Sequence, residues 1–349
     1  MPQKGLRERL REGPVLCAEG YLFELERRGY LQAGAYVPEV VLDHPEQVEN
    51  LHRDFLRAGS DIIEAFTYYA HREKLRLIGR EGDLEAMNRQ ALAIAKKVAA
   101  EGDALVAGNI CNTNIYAAND AEAARQVRAM FDEQIGWAMD AGVDMLIAET
   151  FSWLGEAEIA LDAMRRTGLP TVVTFALHKE DRMRDGATPA EAAKRIEALG
   201  ADVVGLNCAR GPRTIMPFVQ EMRRAVGIHV AALPVPFRTT PDQPTFQSLV
   251  DPDPVCRHCL PDGRSFPIAL DPFTTTRFEI AAFGREALAL GVNYLGVCCG
   301  AGPHHIRALA EALGRHPPAS RYSPDMSKHY AMGTDPRLKA ANQAYVRNL

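Results

Sequence analysis

No segment of this 349-residue chain approaches the roughly 20 continuous apolar residues that a membrane-spanning helix requires. Nor is there a long run of lysine and arginine: the formal net charge is -5 and the isoelectric point is near 6.1, a balance that argues against nucleic acid or an anionic membrane as partner. The opening residues, Met1 to Leu10, alternate charge with leucine and lack the apolar core of an export signal, so the expected location is the cytoplasm. Seven cysteines in a reducing compartment are expected to stay as thiols rather than pair as disulfides. What remains is a chain that acts on small molecules and carries thiols free for chemistry.

With 47% hydrophobic residues the chain can bury a large core. Short apolar runs, each followed by a helical stretch rich in Ala, Glu, Arg and Leu, recur along it: Val15 to Ala18, Asp61 to Tyr68, Ala104 to Asn109, Met145 to Phe151, Thr171 to Leu177, Val203 to Cys208, Val230 to Val235 and Tyr294 to Cys299. Continuous apolar character over a few residues is the mark of strands buried on both faces of a parallel sheet. Eight strand-helix units predict an α/β fold, a (β/α)₈ TIM barrel. Several runs share an entry signal, a glycine after a helix and a polar residue just before the strand, as in Gly59-Ser60-Asp61, Gly142-Val143-Asp144, Gly200-Ala201-Asp202 and Gly291-Val292-Asn293. The glycine is expected to supply a left-handed helix cap. Proline-rich Pro234 to Asp271 reads as a long loop after the seventh strand, on the catalytic face. The expected division is a barrel over residues 1–316 and a C-terminal extension over 317–349. The extension ends in a helical piece from Pro336 to Leu349 and wraps the barrel or meets another subunit of a homo-oligomer.

Polar residues gather at the C-terminal ends of these runs: Glu19, Thr67, Tyr68, Tyr69, Asn109, Glu149, Thr150, Asn207, Cys208, Cys298 and Cys299. That end of a barrel carries the active site. The adjacent pair Cys298 and Cys299 cannot easily bond to each other, and Cys208 ends another apolar run. Three thiolates converging on one soft metal, zinc, is the reading that follows. A Cys₃ set leaves one tetrahedral position open and makes an electron-rich centre, a poor Lewis acid but a good holder of a fourth thiolate. Its natural chemistry is alkyl transfer to a bound thiol.

Other features weigh less. The pair Cys256 and Cys259 lacks two further ligands at workable spacing and reads as part of the loop. Cys17 and Cys111 read as packing residues. The adjacent rings of His304 and His305 are expected to face apart on a helix and to orient the loop before it. Asn109 and Asn207 either hydrogen-bond a substrate or satisfy strand-end backbone. Trp137 and Trp153 read as helix and core anchors, with Trp153 near enough to Glu149 to line a pocket.

These residues resemble the homocysteine S-methyltransferase family, in particular its betaine branch. The resemblance runs from about Leu6 to Ser320 and is carried by Gly205-Leu206-Asn207-Cys208, Gly296-Val297-Cys298-Cys299-Gly300, Pro303-His304-His305, Phe66-Thr67-Tyr68-Tyr69, Leu51 to Ser60, Glu101 to Gly108 and Ile147-Ala148-Glu149. It implies a zinc-dependent barrel in which Cys208, Cys298 and Cys299 hold the metal and the metal holds homocysteine as a thiolate that attacks a methyl group in line. Tyr36, Tyr68 and Tyr69 match the aromatic box of the betaine branch, for which cation-π attraction gives the reason. Glu149 matches the carboxylate near the amino acid's ammonium group. Thr67, Asn109 and Asn207 complete the expected substrate-binding set.

The chain also departs from the family. It has Ala18-Glu19-Gly20 where the family opens with Asp-Gly-Gly: either Glu19 supplies the carboxylate from one position later, with Gly20 beside it in the substrate-binding set, or the change marks a different acceptor or donor. Ala65 replaces a threonine, Thr150 replaces an aromatic, and the chain stops short of the branch's long C-terminal arm. The expected activity is zinc-dependent methyl transfer from a betaine-type onium donor to homocysteine, giving methionine. The alternatives are a sulfonium donor such as S-methylmethionine or dimethylsulfoniopropionate, another thiol acceptor, or a non-catalytic zinc-binding or redox-sensing barrel using Cys256 and Cys259.

Overall fold

The computed structural model describes residues 3–252, 263–341 and 344. Eight parallel strands, β1 (Val15–Ala18), β2 (Ile62–Glu64), β3 (Leu105–Cys111), β4 (Met145–Phe151), β5 (Thr171–Phe175), β6 (Val203–Asn207), β7 (His229–Leu233) and β8 (Tyr294–Val297), close in chain order into a barrel. β8 returns to β1 with Val15 opposite Tyr294 and Ala18 opposite Val297. Helices separate the strands and form the outer layer, so the (β/α)₈ TIM barrel expected from the sequence is the fold observed.

Alternation along each strand explains both the core and the site. Side chains two apart share a face, and Val15 and Cys17, Leu105 and Ala107, Met145 and Ile147, Ala231 and Leu233 pack together inside the barrel with Ile62, Val172, Val203 and Tyr294. Leu6 and Leu10, from the helix Leu6–Glu12, plug the N-terminal end of this cluster. Two residues beyond Cys17, Ile62, Ala107 and Ile147, and four beyond Val203, the same inward face turns polar: Glu19, Glu64, Asn109, Glu149 and Asn207, all buried. The opposite face, with Leu16, Ile63, Val106, Leu146, Val173, Val204 and Leu295, packs against the helices. The helix Pro45–Ala58, for instance, buries Val48, Leu51, His52, Phe55 and Ala58 at spacings of three and four.

The entry signals have a common structure. Gly59, Gly142, Gly200 and Gly291 all adopt positive φ, between 68° and 110°, which only glycine does without strain. The acid that follows accepts a backbone N–H at the start of a neighbouring strand: Asp61 from Leu16 at 2.7 Å, Asp144 from Val106 at 2.7 Å and Asp202 from Thr171 at 2.9 Å. These three helix-to-strand turns thereby fix the incoming strand against the strand before it.

Strand ends differ from expectation, and the differences matter for the site. β2 stops at Glu64, β5 at Phe175, β6 at Asn207, β7 at Leu233 and β8 at Val297, while β3 continues to Cys111. The chain turns out of the ladder where the polar residues begin. Tyr69, Thr150, Cys208 and Ala209 have φ of 61°, 64°, 56° and 53°, left-handed values that non-glycine residues hold only when tertiary contacts impose them. In the tail, the helical piece expected from Pro336 starts later: Pro336 to Leu338 turn or bend, Ala340, Ala341 and Ala344 are helical, and residues 342, 343 and 345–349 lie outside the described residues.

Gly205 sits where β6 approaches β7 most closely: a Cβ there would stand 2.1 Å from the carbonyl oxygen of Ala231. Gly205→Ala is expected to lose about 3 kcal/mol of stability, because two paired strands would have to separate. Chemical denaturation of the two proteins would show the shift.

Candidate active site

Cys208, directly after β6, and Cys298 and Cys299, directly after β8, place their three Sγ atoms within 4.8 Å of one another. Cys208 and Cys298 are buried and Cys299 is half-buried. Left-handed turns at Cys208 and Ala209 swing the first thiol inward, and the N–H groups of Cys208 and Cys298 bond to the carbonyls of Leu233 and Pro234 at 3.0 and 2.9 Å, fixing both to β7. Hydrogen bonds from Cys298 and Cys299 hold the Cys208 thiol well below its usual range. Burial pushes Cys298 up, and the neighbouring Cys208 pushes Cys299 up. The cluster thus concentrates negative charge on one sulfur shared by three. Tetrahedral zinc-thiolate bonds of about 2.3 Å set sulfur atoms about 3.8 Å apart, so this donor set fits a zinc ion with little movement.

Beneath the thiols lies a group of three buried carboxylates joined by two asparagines. Asn207 donates through Nδ2 to Glu149 Oε2 at 2.9 Å, to Glu19 Oε2 at 3.2 Å and to Thr150 Oγ1 at 2.9 Å. Asn109 donates through Nδ2 to Glu149 Oε1 at 2.7 Å and to Glu64 Oε1. Burial raises the carboxyls of all three acids, with Glu149 brought to about 7 and Glu19 and Glu64 raised further by the charge of Glu149. Three acceptor oxygens are left without a partner: Glu19 Oε1, Glu64 Oε2 and Asn109 Oδ1. These residues line a void of about 20 Å³ shared with Cys298 and Cys299, room for about one water-sized group. An ammonium group has three donors and no acceptor, the complement of this arrangement.

Glu64 is a buried site residue that the sequence analysis does not single out. It lies inside a run taken as apolar strand, and the signal that locates it is the alternation itself, two positions beyond inward-facing Ile62. Cys17 is also closer to the site than its packing role suggests, since its Sγ lies within 4.8 Å of carboxylate oxygens of Glu19 and Glu64.

A larger cavity of about 390 Å³ opens outward from Cys208 and Cys299. Tyr36, Tyr68, Tyr69, Tyr116 and Trp153 line it, and Phe246 and Phe266 from the long loop after β7 close one side. The rings of Tyr68 and Tyr69 are 4.3 Å apart, Tyr36 stacks on Phe23 at 5.7 Å, and Tyr116 meets Trp153 edge-on at 5.7 Å. Cys111 helps to fix Tyr69 by accepting its backbone N–H through sulfur at 3.2 Å.

The expected residues do not all face these spaces. Thr67 lines neither: its hydroxyl donates to the carbonyl of Asn109 at 2.7 Å, a structural bond between β3 and the turn after β2. Gly20 is the N-cap of the helix Tyr21–Arg27 and lies so close to the turn after Cys299 that a Cβ would stand 2.3 Å from the oxygen of Ala301. The rings of His304 and His305, expected to face apart, lie 3.9 Å from each other. They sit in the first turn of a helix, where His305 folds back to accept the N–H of Gly302 at 3.1 Å and orients the turn after the cysteine pair. Cys256 and Cys259 lie outside the described residues. No helix among the described residues is long and apolar enough to cross a membrane.

A homocysteine S-methyltransferase family model matches residues 20–313 of this chain. Betaine–homocysteine S-methyltransferase 1 of Mus musculus is 37% identical over 358 residues, an alignment covering 99% of this chain and 85% of that protein. S-methylmethionine–homocysteine S-methyltransferase BHMT2 of Pongo abelii is also 37% identical over 358 residues, with 99% and 93% covered. Among solved structures, the metallated form of the homocysteine methyltransferase MmuM from Escherichia coli matches with a TM-score of 0.67 at 20% identity, covering 88% of this chain and 99% of that one, a likeness of fold.

Proposed function

The chain belongs to the homocysteine S-methyltransferase family, and on that premise we propose that it transfers a methyl group from a small betaine-type onium donor to homocysteine through a zinc site formed by Cys208, Cys298 and Cys299. The observation that carries this reading is the meeting of three thiols between two unlike spaces, an inner void walled by carboxylates and an outer cavity walled by aromatics. Zinc, when bound, supplies a position at which the acceptor's sulfur is held deprotonated yet nucleophilic.

The remaining roles fall to the protein's own groups. Glu19, Glu64 and Glu149, with Asn109, take the ammonium group of the acceptor, and Asn207 holds Glu19 and Glu149 in place. Tyr36, Tyr68, Tyr69 and Trp153 surround the onium centre, whose positive charge is attracted by ring faces without a hydrogen bond. The acceptor's sulfur forms a bond to the methyl carbon as the bond from that carbon to nitrogen breaks, and the electron pair leaves with nitrogen. The donor departs neutral, so the pocket needs no general acid on the donor side. A sulfonium donor satisfies the same requirements, and the relative that uses S-methylmethionine is as similar to this chain as the one that uses betaine. Free thiols at the centre suit a reducing compartment, which supports the cytoplasm as location.

The test is methionine formation by zinc-loaded protein given homocysteine and a panel of betaines and sulfonium compounds. Methionine from at least one donor is the expected result, and none from any of them would overturn the reading.

A further inference from the structure

We propose that Arg184 binds the carboxylate of the methyl donor. The inference rests on the methyl-transfer reading above and adds to it the residue that anchors the donor's anionic end.

Arg184 lines the outer cavity together with Cys208, Cys299 and the tyrosines. Its guanidinium lies over the ring of Trp153, 4.7 Å from the centroid, and its backbone N–H bonds to the carbonyl of Ser152 at 2.8 Å, so both ends of the residue are set against the segment that follows β4. The loop that carries it is tied down as well. Buried Arg210, two residues after Cys208, donates to the carbonyls of Leu177, His178 and Lys179 at 3.0, 2.7 and 3.3 Å and to Asp181 at 2.8 Å. Arg184 is thus held at a defined place relative to the thiols.

Among the described residues no carboxylate lies within ion-pair distance of the Arg184 guanidinium. Glu156, the one acid among the residues lining this cavity, accepts the N–H and hydroxyl of Thr113 through a single oxygen at 2.8 and 2.6 Å. Lys74 is the other long cationic side chain of the cavity, and its ammonium is already engaged by the carbonyl of Ala35 at 3.4 Å and by the ring of Tyr69 at 3.9 Å. Arg184 alone offers a free planar fork, the geometry that matches a carboxylate with two parallel hydrogen bonds.

The charge pattern assigns this carboxylate to the donor rather than to the acceptor. In an α-amino acid only one carbon separates the ammonium nitrogen from the carboxylate. The acceptor's ammonium belongs to the inner void with Glu19, Glu64 and Glu149, and Arg184 does not line that void. A donor with its onium centre among the tyrosines and its carboxylate on Arg184 lies wholly within the outer cavity that Cys208 and Cys299 also line.

Steady-state kinetics of wild type, Arg184→Gln and Arg184→Lys would test this with glycine betaine, dimethylsulfonioacetate and trimethylsulfonium as donors. Removing a charge-assisted contact is expected to raise KM for the two carboxylate donors about 10- to 100-fold. KM for trimethylsulfonium and for homocysteine should stay within about twofold, and Arg184→Lys should recover part of the loss. Equal effects on all donors, no effect on any, or a rise confined to homocysteine would overturn the proposal. Tryptophan fluorescence titrated with glycine betaine gives a readout independent of turnover. If wild type makes no methionine from any donor, the methyl-transfer reading fails. Weaker betaine binding to Arg184→Gln would then still support the anion site, and unchanged binding would refute it.

Discussion

Replacing Cys298 with alanine is expected to remove about three orders of magnitude of methyl-transfer rate, equivalent to ~4 kcal/mol of transition-state stabilisation, and to strip the protein of zinc. The three Sγ atoms lie within 4.8 Å of one another, and two thiols alone cannot close a tetrahedral thiolate site with one position open to substrate. The acceptor thiol would then meet the donor protonated, as a much weaker nucleophile. Cys17→Ala is the matched control. Cys17 is fully buried in the barrel interior beneath the site, so its loss should cost stability, about 1 kcal/mol, yet leave zinc content at the wild-type level. Metal analysis and methionine formation on the same samples separate the two outcomes.

Glu149→Gln is expected to lower kcat/KM for homocysteine by about 10²- to 10³-fold, mostly through KM, because a buried carboxylate that meets an ammonium cannot be replaced by a neutral amide. Asn109, Asn207 and Thr150 all donate to this carboxylate, so the amide would also present its own N–H₂ to a donor. Glu64→Gln should behave differently. Glu64 has one oxygen bonded to Asn109 and one without a partner, and an amide can keep the first bond while relieving like-charge crowding with Glu149. Its thermal stability in the absence of ligand should equal or exceed wild type while its homocysteine KM rises, the trade-off expected where a site is strained for binding. The pH dependence follows from the burial of the same acids. Burial lifts Glu149 to about 7, above its ordinary 4.5, so between those values the folded protein holds more protons than the unfolded chain. The stability of the ligand-free, metal-free protein therefore falls as pH rises through that window, and Glu64→Gln should flatten the slope. Thermal unfolding of both proteins between pH 5 and 8 would show it.

The barrel was legible because its β/α units repeat one local logic, an apolar strand followed by an amphipathic helix, and three of them add a left-handed glycine and an acid that ties the incoming strand to the one before it. The thiol triad was legible for a simpler reason, since chemistry-bearing residues at strand ends point toward one pole of a barrel. Strand termini were harder to read. Thr67 and Tyr68 continue a hydrophobic pattern but leave the ladder, and only tertiary contacts hold Tyr69 and Cys208 at positive φ. Glu64 stayed hidden inside an apolar run, because its role depends on which face of β2 is inward, a matter of barrel closure rather than local sequence. Arg184 has no motif at all: it reaches the cavity through a loop pinned by Arg210, a contact between segments nearly 30 residues apart that composition cannot reveal.

The central claim is that the acceptor's sulfur joins a metal held by Cys208, Cys298 and Cys299. Zinc K-edge X-ray absorption of zinc-loaded protein, recorded with and without homocysteine, tests it most directly. The account predicts three sulfur ligands at about 2.3 Å in the free protein and four when homocysteine is present. Fewer than three sulfurs in the free protein, or a coordination shell that homocysteine leaves unchanged, would contradict it.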